Sequence, residues 1–217
     1  MVDTALQRKN MVESQIRPSD VTDRRITAAM TAVAREAFLP PKLAPLAYSD
    51  ESLMISPDKQ ILPPRVLAKL IQLADIDAED NVLVISAAGY AAALVAQFAA
   101  KVAALLPDEE SAKAASEALS DSGSGNVDIA VGPAASGWAA NAPYDVILVE
   151  GGIERVPAAL EAELREGGRL VAIVTNGSLG RGVEFHKRGE ILARREDFQA
   201  AAKALPGFDE PQPAFVF

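Results

Sequence analysis

Hydrophobic residues follow two regimes along the chain. Up to residue 75 they recur at helical spacing, and from residue 81 they come in short unbroken runs. Leu6, Met11, Val12 and Ile16 fall near one face of a helix over residues 3–17, which Arg17-Pro18-Ser19-Asp20 breaks. Thr22-Asp23 can cap a second helix running to about residue 38, with Ile26, Met30 and Val33 at helical spacing. Leu39-Pro40-Pro41 stops it. Residues 40–64 hold six of the fourteen prolines, so loop and short extended pieces are expected there. A third helix is predicted over 65–75, with Val66, Leu67, Leu70 and Ile71 on its apolar face.

The run Val82-Leu83-Val84-Ile85 has no polar alternation, the pattern of a strand buried on both faces. A helix over 90–100, a strand over 101–106 and a helix over 109–119 follow. Further strands are predicted over 126–131, 144–149 and 169–174, with a helix over 156–164 and a turn at Glu166-Gly167-Gly168. Strands alternating with helices predict an α/β fold with a doubly wound, mostly parallel sheet. Residues 183–187 and 190–195 can pair as an antiparallel C-terminal hairpin. The chain thus divides into an N-terminal helical and loop region (1–78) packed on a sheet domain (79–217). The apolar ending Phe215-Val216-Phe217 is expected to dock on that domain.

Composition narrows the chemistry. The 217 residues carry a net charge of −9, which disfavours nucleic-acid and anionic-membrane partners. With no cysteine and a single histidine, His186, disulfides, thiolate metal sites and His-cluster metal sites are excluded. The N-terminus MVDTALQRKNMVES lacks the apolar run of a signal peptide, and a cytoplasmic location is expected.

In an open parallel sheet, ligands bind beyond the carboxyl ends of the strands. Four places qualify: Ser86-Ala87-Ala88-Gly89, Leu106-Pro107-Asp108, Gly132-Pro133-Ala134 and Glu150-Gly151-Gly152. A nucleoside site needs glycines after the first strand, so that backbone can approach the ligand. It needs a carboxylate for the ribose hydroxyls after the second, and a polar side chain for the base after the third. Here the first loop keeps only Gly89, the second strand ends in Leu105-Leu106, and Pro133 stands in the third loop. Asp108 and Glu109 suit the opening of the following helix. Glu150 takes two readings, a solvent-facing strand-end carboxylate or a site residue.

Several segments resemble the protein-L-isoaspartate (D-aspartate) O-methyltransferases, from about Lys9 to about Ile173. Met11-Val12-Glu13-Ser14-Gln15-Ile16 is similar to the family's opening helix. Ala34-Arg35-Glu36-Ala37-Phe38-Leu39-Pro40 is similar to its PRE-F-VP signature. Ala47-Tyr48-Ser49-Asp50, Gly137-Trp138, Tyr144-Asp145-Val146-Ile147 and Glu166-Gly167-Gly168-Arg169-Leu170 match in order and spacing. Leu205-Pro206-Gly207-Phe208 and the apolar terminus look like a divergent bacterial branch.

The resemblance implies a Rossmann-like class I methyltransferase fold and S-adenosylmethionine as methyl donor, without a metal. It implies a protein or peptide substrate, the α-carboxylate of an isoaspartyl residue. It also marks departures. The family's E-I-G-x-G-x-G-Y loop reads Val84-Ile85-Ser86-Ala87-Ala88-Gly89-Tyr90 here, one residue shorter. The ribose-binding glutamate aligns with Leu106 and the acid near adenine with Pro133. The active-site T-I-S-Q-P aligns with Gln60-Ile61-Leu62-Pro63-Pro64, so Leu62 replaces the hydroxyl residue. The cofactor positions are then Ser86, Gly89, Leu106, Pro133 and Glu150, as vestiges. Asp50, Ser56, Asp58, Lys59 and Gln60 are the polar residues left near the active-site loop. The expected function is a methyltransferase fold whose reaction is lost or weakened, kept as a binding or scaffold module. An active enzyme with other cofactor contacts is the alternative, and a different small ligand in the same cleft is a third.

Overall fold

The structure, a computed structural model, describes residues 3–176 and 179–209. Helix α1 (Thr4–Met11) starts at Asp3, whose side chain accepts from the Leu6 N–H. It continues as a π turn (Val12–Ile16) and a 3-10 turn (Arg17–Ser19), and ends at Asp20 with φ +63°. Helix α2 (Arg24–Ala32) is capped by Asp23 and is shorter than its sequence predicts. The chain turns extended at Val33 and Ala34 and resumes as a 3-10 turn, Arg35–Phe38. Val33 and Arg35 are both buried, and a continuous helix would send them to opposite sides.

The proline-rich stretch holds a small antiparallel hairpin, β1 (Leu53–Ser56) with β2 (Lys59–Ile61). Helix α3 (Pro64–Ala74) follows and ends at Asp75 with φ +45°. The sheet domain runs β3 (Asn81–Ile85), α4 (Tyr90–Val95), β4 (Lys101–Leu106), α5 (Glu109–Asp121) and β5 (Val127–Val131). It continues with β6 (Tyr144–Ile153), α6 (Ala158–Glu163), β7 (Leu164–Asn176), β8 (Leu179–Arg188) and β9 (Ile191–Gln199). The strand order is β5-β4-β3-β6-β7-β8-β9. The first five are parallel, and β8 and β9 add on antiparallel.

Alternate residues of the central strands feed two cores. Val82, Val84, Val102, Ala104, Leu106, Val146 and Leu148 pack in one core with the N-terminal helices, α3, α4 and α5. Leu83, Ile85, Ala103, Leu105, Ile147 and Val149 face the other, with Leu160 of α6 and Phe208. Burial on both faces explains the unbroken apolar runs. The same cluster takes in Met11, Ile26 and Leu53, so the N-terminal layer shares the core of the sheet.

Besides the end of α2, four further boundaries differ from the sequence reading. Helix α4 ends at Val95 rather than near residue 100 because Asn126 takes the Ala96 and Ala99 carbonyls, at 3.1 and 2.9 Å. Strand β6 does not end at Val149 but runs through Glu150-Gly151-Gly152 to Ile153. Its continuation pairs with the chain's return: the Gly152 N–H donates to the Lys203 carbonyl at 2.9 Å, and the Leu205 N–H to the Gly152 carbonyl at 2.8 Å. A Cβ on Gly151 would sit 2.7 Å from the Leu205 side chain, and one on Gly152 2.7 Å from the Lys203 carbonyl. These glycines serve close packing of the tail, not a ligand loop. Strand β7 starts at Leu164, with the predicted turn inside it as an irregularity of the pairing. The β8–β9 hairpin is longer than predicted. The expected docking of Phe215-Val216-Phe217 lies outside the described residues. Among the described residues, no helix is long and apolar enough to cross a membrane.

Candidate functional site

A cleft of about 400 Å³ opens at the carboxyl ends of β3, β4 and β5. Ile85, Ser86 and Ala87 line it from β3, Leu105 to Asp108 from β4, and Gly132, Pro133 and Ala134 from β5. Ser56, Asp58 and Lys59 at the tip of the β1–β2 hairpin close one side, and Leu205-Pro206 of the returning tail another. A second cleft of about 460 Å³ shares Ser56, Lys59 and Ala87 with the first and runs along residues 37–42 to α5.

The loop after β3 is folded on itself. Ser86 Oγ accepts from the Gly89 N–H at 2.9 Å, and the Ser86 N–H donates to the Leu105 carbonyl at 3.2 Å. Gly89 has φ +83°, and a Cβ there would stand 2.9 Å from the Ala115 Cβ on α5. Its work is the close approach of α4 and α5, and it does not line the cleft.

At the end of β4, Leu106 is fully buried, with its side chain in the helical core. The carboxylate at this strand end belongs to Asp108. It caps α5 by accepting from the Ser111 N–H at 2.9 Å, and Lys59 Nζ lies 2.6 Å away. The hydrogen bond from Lys59 is the main cause that holds the Asp108 carboxyl down to about 2. Lys59 Nζ also donates to Ser111 Oγ at 3.1 Å, so the hairpin tip is tied to the start of α5 across the boundary of the two clefts.

Glu150 departs from both readings. It faces neither solvent nor cleft, since it lies within β6 and is 1% exposed. Burial pushes its carboxyl up to about 7, against the opposing pull of Arg35 and a hydrogen bond from the Leu62 backbone. Leu62 is fully buried, and its carbonyl accepts from Arg35 Nη2 at 2.7 Å. Gln60 is a tie: its amide donates to Ser52 Oγ and its carbonyl accepts from the Lys203 N–H, both at 2.8 Å. Asp50 pairs with Arg65 at 2.8 Å. Asp58 has a 74% exposed side chain at the cleft rim.

The structure therefore brings Ser86, Leu106, Pro133, Ser56, Asp58 and Lys59 to one cleft and leaves Gly89, Glu150, Leu62 and Gln60 outside its lining. Sequence reasoning missed the Lys59–Asp108 pair, the Leu205-Pro206 wall and the burial of Arg35. The first two join residues far apart in the chain, so no local pattern announces them. The PRE-like segment was the one signal for Arg35.

A parallel sheet with a cleft at these strand ends, an N-terminal helical layer and an antiparallel edge is the architecture of a Rossmann-like class I methyltransferase. The family model for protein-L-isoaspartate(D-aspartate) O-methyltransferase (PCMT) matches residues 6–199. A protein-L-isoaspartate O-methyltransferase of Rhodopseudomonas palustris (strain CGA009) is 36% identical over 211 residues, 94% of this chain and 96% of that protein. One from Methanoculleus marisnigri is 37% identical over 77% of each chain. A solved protein-L-isoaspartate O-methyltransferase superposes with a TM-score of 0.79 at 22% identity, covering 92% of this chain and 66% of that one. A Plasmodium falciparum structure in complex with S-adenosyl-L-homocysteine gives 0.74 at 16% identity, over 94% and 99%. These two likenesses carry the fold. The chain belongs to the protein-L-isoaspartate (D-aspartate) O-methyltransferase family.

The family's cofactor is S-adenosylmethionine. The cleft suits a ligand of that kind in place and in volume. Its polar side chains differ from the expected ones: those of Leu106 and Pro133 offer no acceptor for ribose or base, and the Ser86 hydroxyl oxygen accepts from the Gly89 N–H within the loop.

Proposed function

We propose that this chain is an S-adenosylmethionine-dependent carboxyl methyltransferase for isoaspartyl residues of proteins, binding its cofactor by shape and apolar contact more than by charge. The observation that carries this reading is the open cleft: Ala87, Leu106 and Pro133 line it without filling it. The match to named relatives along nearly the whole chain supports it. The bound cofactor would supply an electrophilic methyl group. The chain supplies the walls, the Asp108 carboxylate at the end of β4, and the hairpin tip at the rim.

Titration calorimetry with S-adenosylmethionine and S-adenosylhomocysteine tests this, followed by transfer of labelled methyl to an isoaspartyl peptide. Binding in the micromolar range and transfer to the peptide are the expected results. A folded protein that gives no heat with either nucleoside at millimolar concentration overturns the reading.

A second reading, a methyltransferase fold kept as a binding module, is favoured by Leu106 and Pro133. Each charged hydrogen bond lost from a site costs about 1.5–3 kcal/mol, so two such losses weaken binding by orders of magnitude. The calorimetry separates the two readings.

A further inference from the structure

The cofactor takes one of the two clefts and leaves the second, about 460 Å³, without a role. This second space is lined by the turn after α2, the β1–β2 hairpin and the first turns of α5. Most of its lining is apolar, with Phe38, Leu39, Ile55, Ala88 and Ala114 among it. Ser56, Lys59 and Ala87 line both clefts, so the two spaces adjoin along one boundary. Volume and lining are those of a site for an organic ligand.

A transfer between two bound molecules needs two sites that meet. Ligands in these two clefts meet at the shared boundary, and Lys59 stands there. Among the described residues it is the one cation that lines the first cleft, beside Asp58 and Asp108. Lys42 and Glu110 are the other charged residues lining the second. The Lys59 side chain is 19% exposed. Asp108 at 2.6 Å and Ser111 Oγ at 3.1 Å engage two of its three ammonium protons, which leaves one donor. The plain structural role of Lys59 is to tie the hairpin to α5. That role uses neither the third donor nor the place on both linings. A carboxylate entering at the boundary is repelled by the acids and finds its attraction at Lys59, as a charge-assisted hydrogen bond.

We propose that the second cleft is the groove for the substrate peptide, and that Lys59 holds the α-carboxylate of its isoaspartyl residue at the boundary with the cofactor cleft. The identity of the occupant rests on the proposed function. The path of the peptide and the residue that binds it are read from the two linings. The apolar lining favours apolar side chains next to the isoaspartyl residue.

The test titrates a short isoaspartyl peptide into the full chain and follows backbone amides by NMR. In the wild type the peptide is expected to shift Lys59, Ala88 and Ala114, while Leu192 of β9 stays in place. Ala114 is exposed and lines the second cleft only, so Ala114→Trp fills that cleft and keeps the Lys59 tie. This variant should raise KM for the peptide by about tenfold, with kcat and the calorimetric affinity for S-adenosylhomocysteine unchanged. A second peptide, with a carboxamide in place of that α-carboxylate, reads the anchor. The wild type is expected to bind the carboxylate form severalfold more tightly, and Lys59→Met to erase that preference. Loss of a structural tie weakens both peptides alike, so a preference that survives in Lys59→Met overturns the anchor. No peptide shift at Ala114, or an unchanged KM in Ala114→Trp, overturns the groove. A wild type that binds neither nucleoside sinks the proposed function, and the peptide shifts still decide the groove.

Discussion

The two sides of the β1–β2 hairpin differ in what their polar groups serve. On the cleft side, Leu106 and Pro133 line the strand ends with apolar side chains. On the inner side, Arg35, Tyr90 and Glu150 remain as wholly buried polar groups. The first set leaves its cleft walls apolar, whereas Arg35 of the second set holds the Leu62 carbonyl. A side chain that serves the backbone is fixed by folding itself, because removing it orphans a buried group. A side chain that serves a ligand can change with no cost to the fold. The contrast separates what this chain needs to fold from what it needs to bind.

The largest expected effect falls on the inner side. Arg35→Met leaves the buried Leu62 carbonyl without its donor and removes the contact over the Tyr90 ring. Losing a charged hydrogen bond to a buried carbonyl together with that contact costs about 2–5 kcal/mol, to be read from denaturant unfolding. A loss under about 1 kcal/mol breaks the comparison outright. Next comes pH. The Glu150 carboxyl is raised from 4.5 to about 7 in the folded chain, so the native state holds its proton longer than the unfolded one. Stability from this group is therefore full below 4.5, falls as pH rises to about 7, and is flat above. The span is on the order of 3 kcal/mol. Glu150→Gln should flatten that slope in unfolding curves taken across the window.

Gly89→Ala sharpens the contrast at the loop between the two sides. The new Cβ meets Ala115 at 2.9 Å and the residue keeps φ +83°, so a loss of about 1–3 kcal/mol is expected. Nucleoside affinity per folded molecule should change little, because Gly89 does not line the cleft. The smallest stability effect is Asp108→Asn. It keeps the helix cap and removes a half-exposed ion pair with Lys59, worth under about 1 kcal/mol. If the cleft takes S-adenosylmethionine, calorimetry should nonetheless show severalfold weaker binding. Unchanged affinity would remove Asp108 from the contacts.

Legibility in the sequence followed the range of the interactions. Strand β4 spans residues 101–106, as its apolar run predicts, because burial on both faces is written locally. The end of α2 was illegible, since its break depends on Arg35 turning inward to a carbonyl 27 residues away. The extension of β6 through Glu150 depends on residues 203–205, which no window on residues 144–153 can see. The site divides in the same way. The strand ends that line the cleft were readable from strand periodicity. Lys59 and Asp108, both visible as polar residues, gave no sign that they meet.

The tail that forms one wall of the cleft has a temporal consequence. Gln60 waits for the Lys203 N–H, 143 positions later in the chain, and Gly151-Gly152 for the segment ending in Leu205-Pro206. On the ribosome, β3, β4 and β5 are synthesised long before that wall exists. Among the described residues that wall is therefore among the last parts to be synthesised, and contacts of such sequence separation form slowly. A chain stalled or cut before residue 203 presents the sheet with its ligand face unwalled.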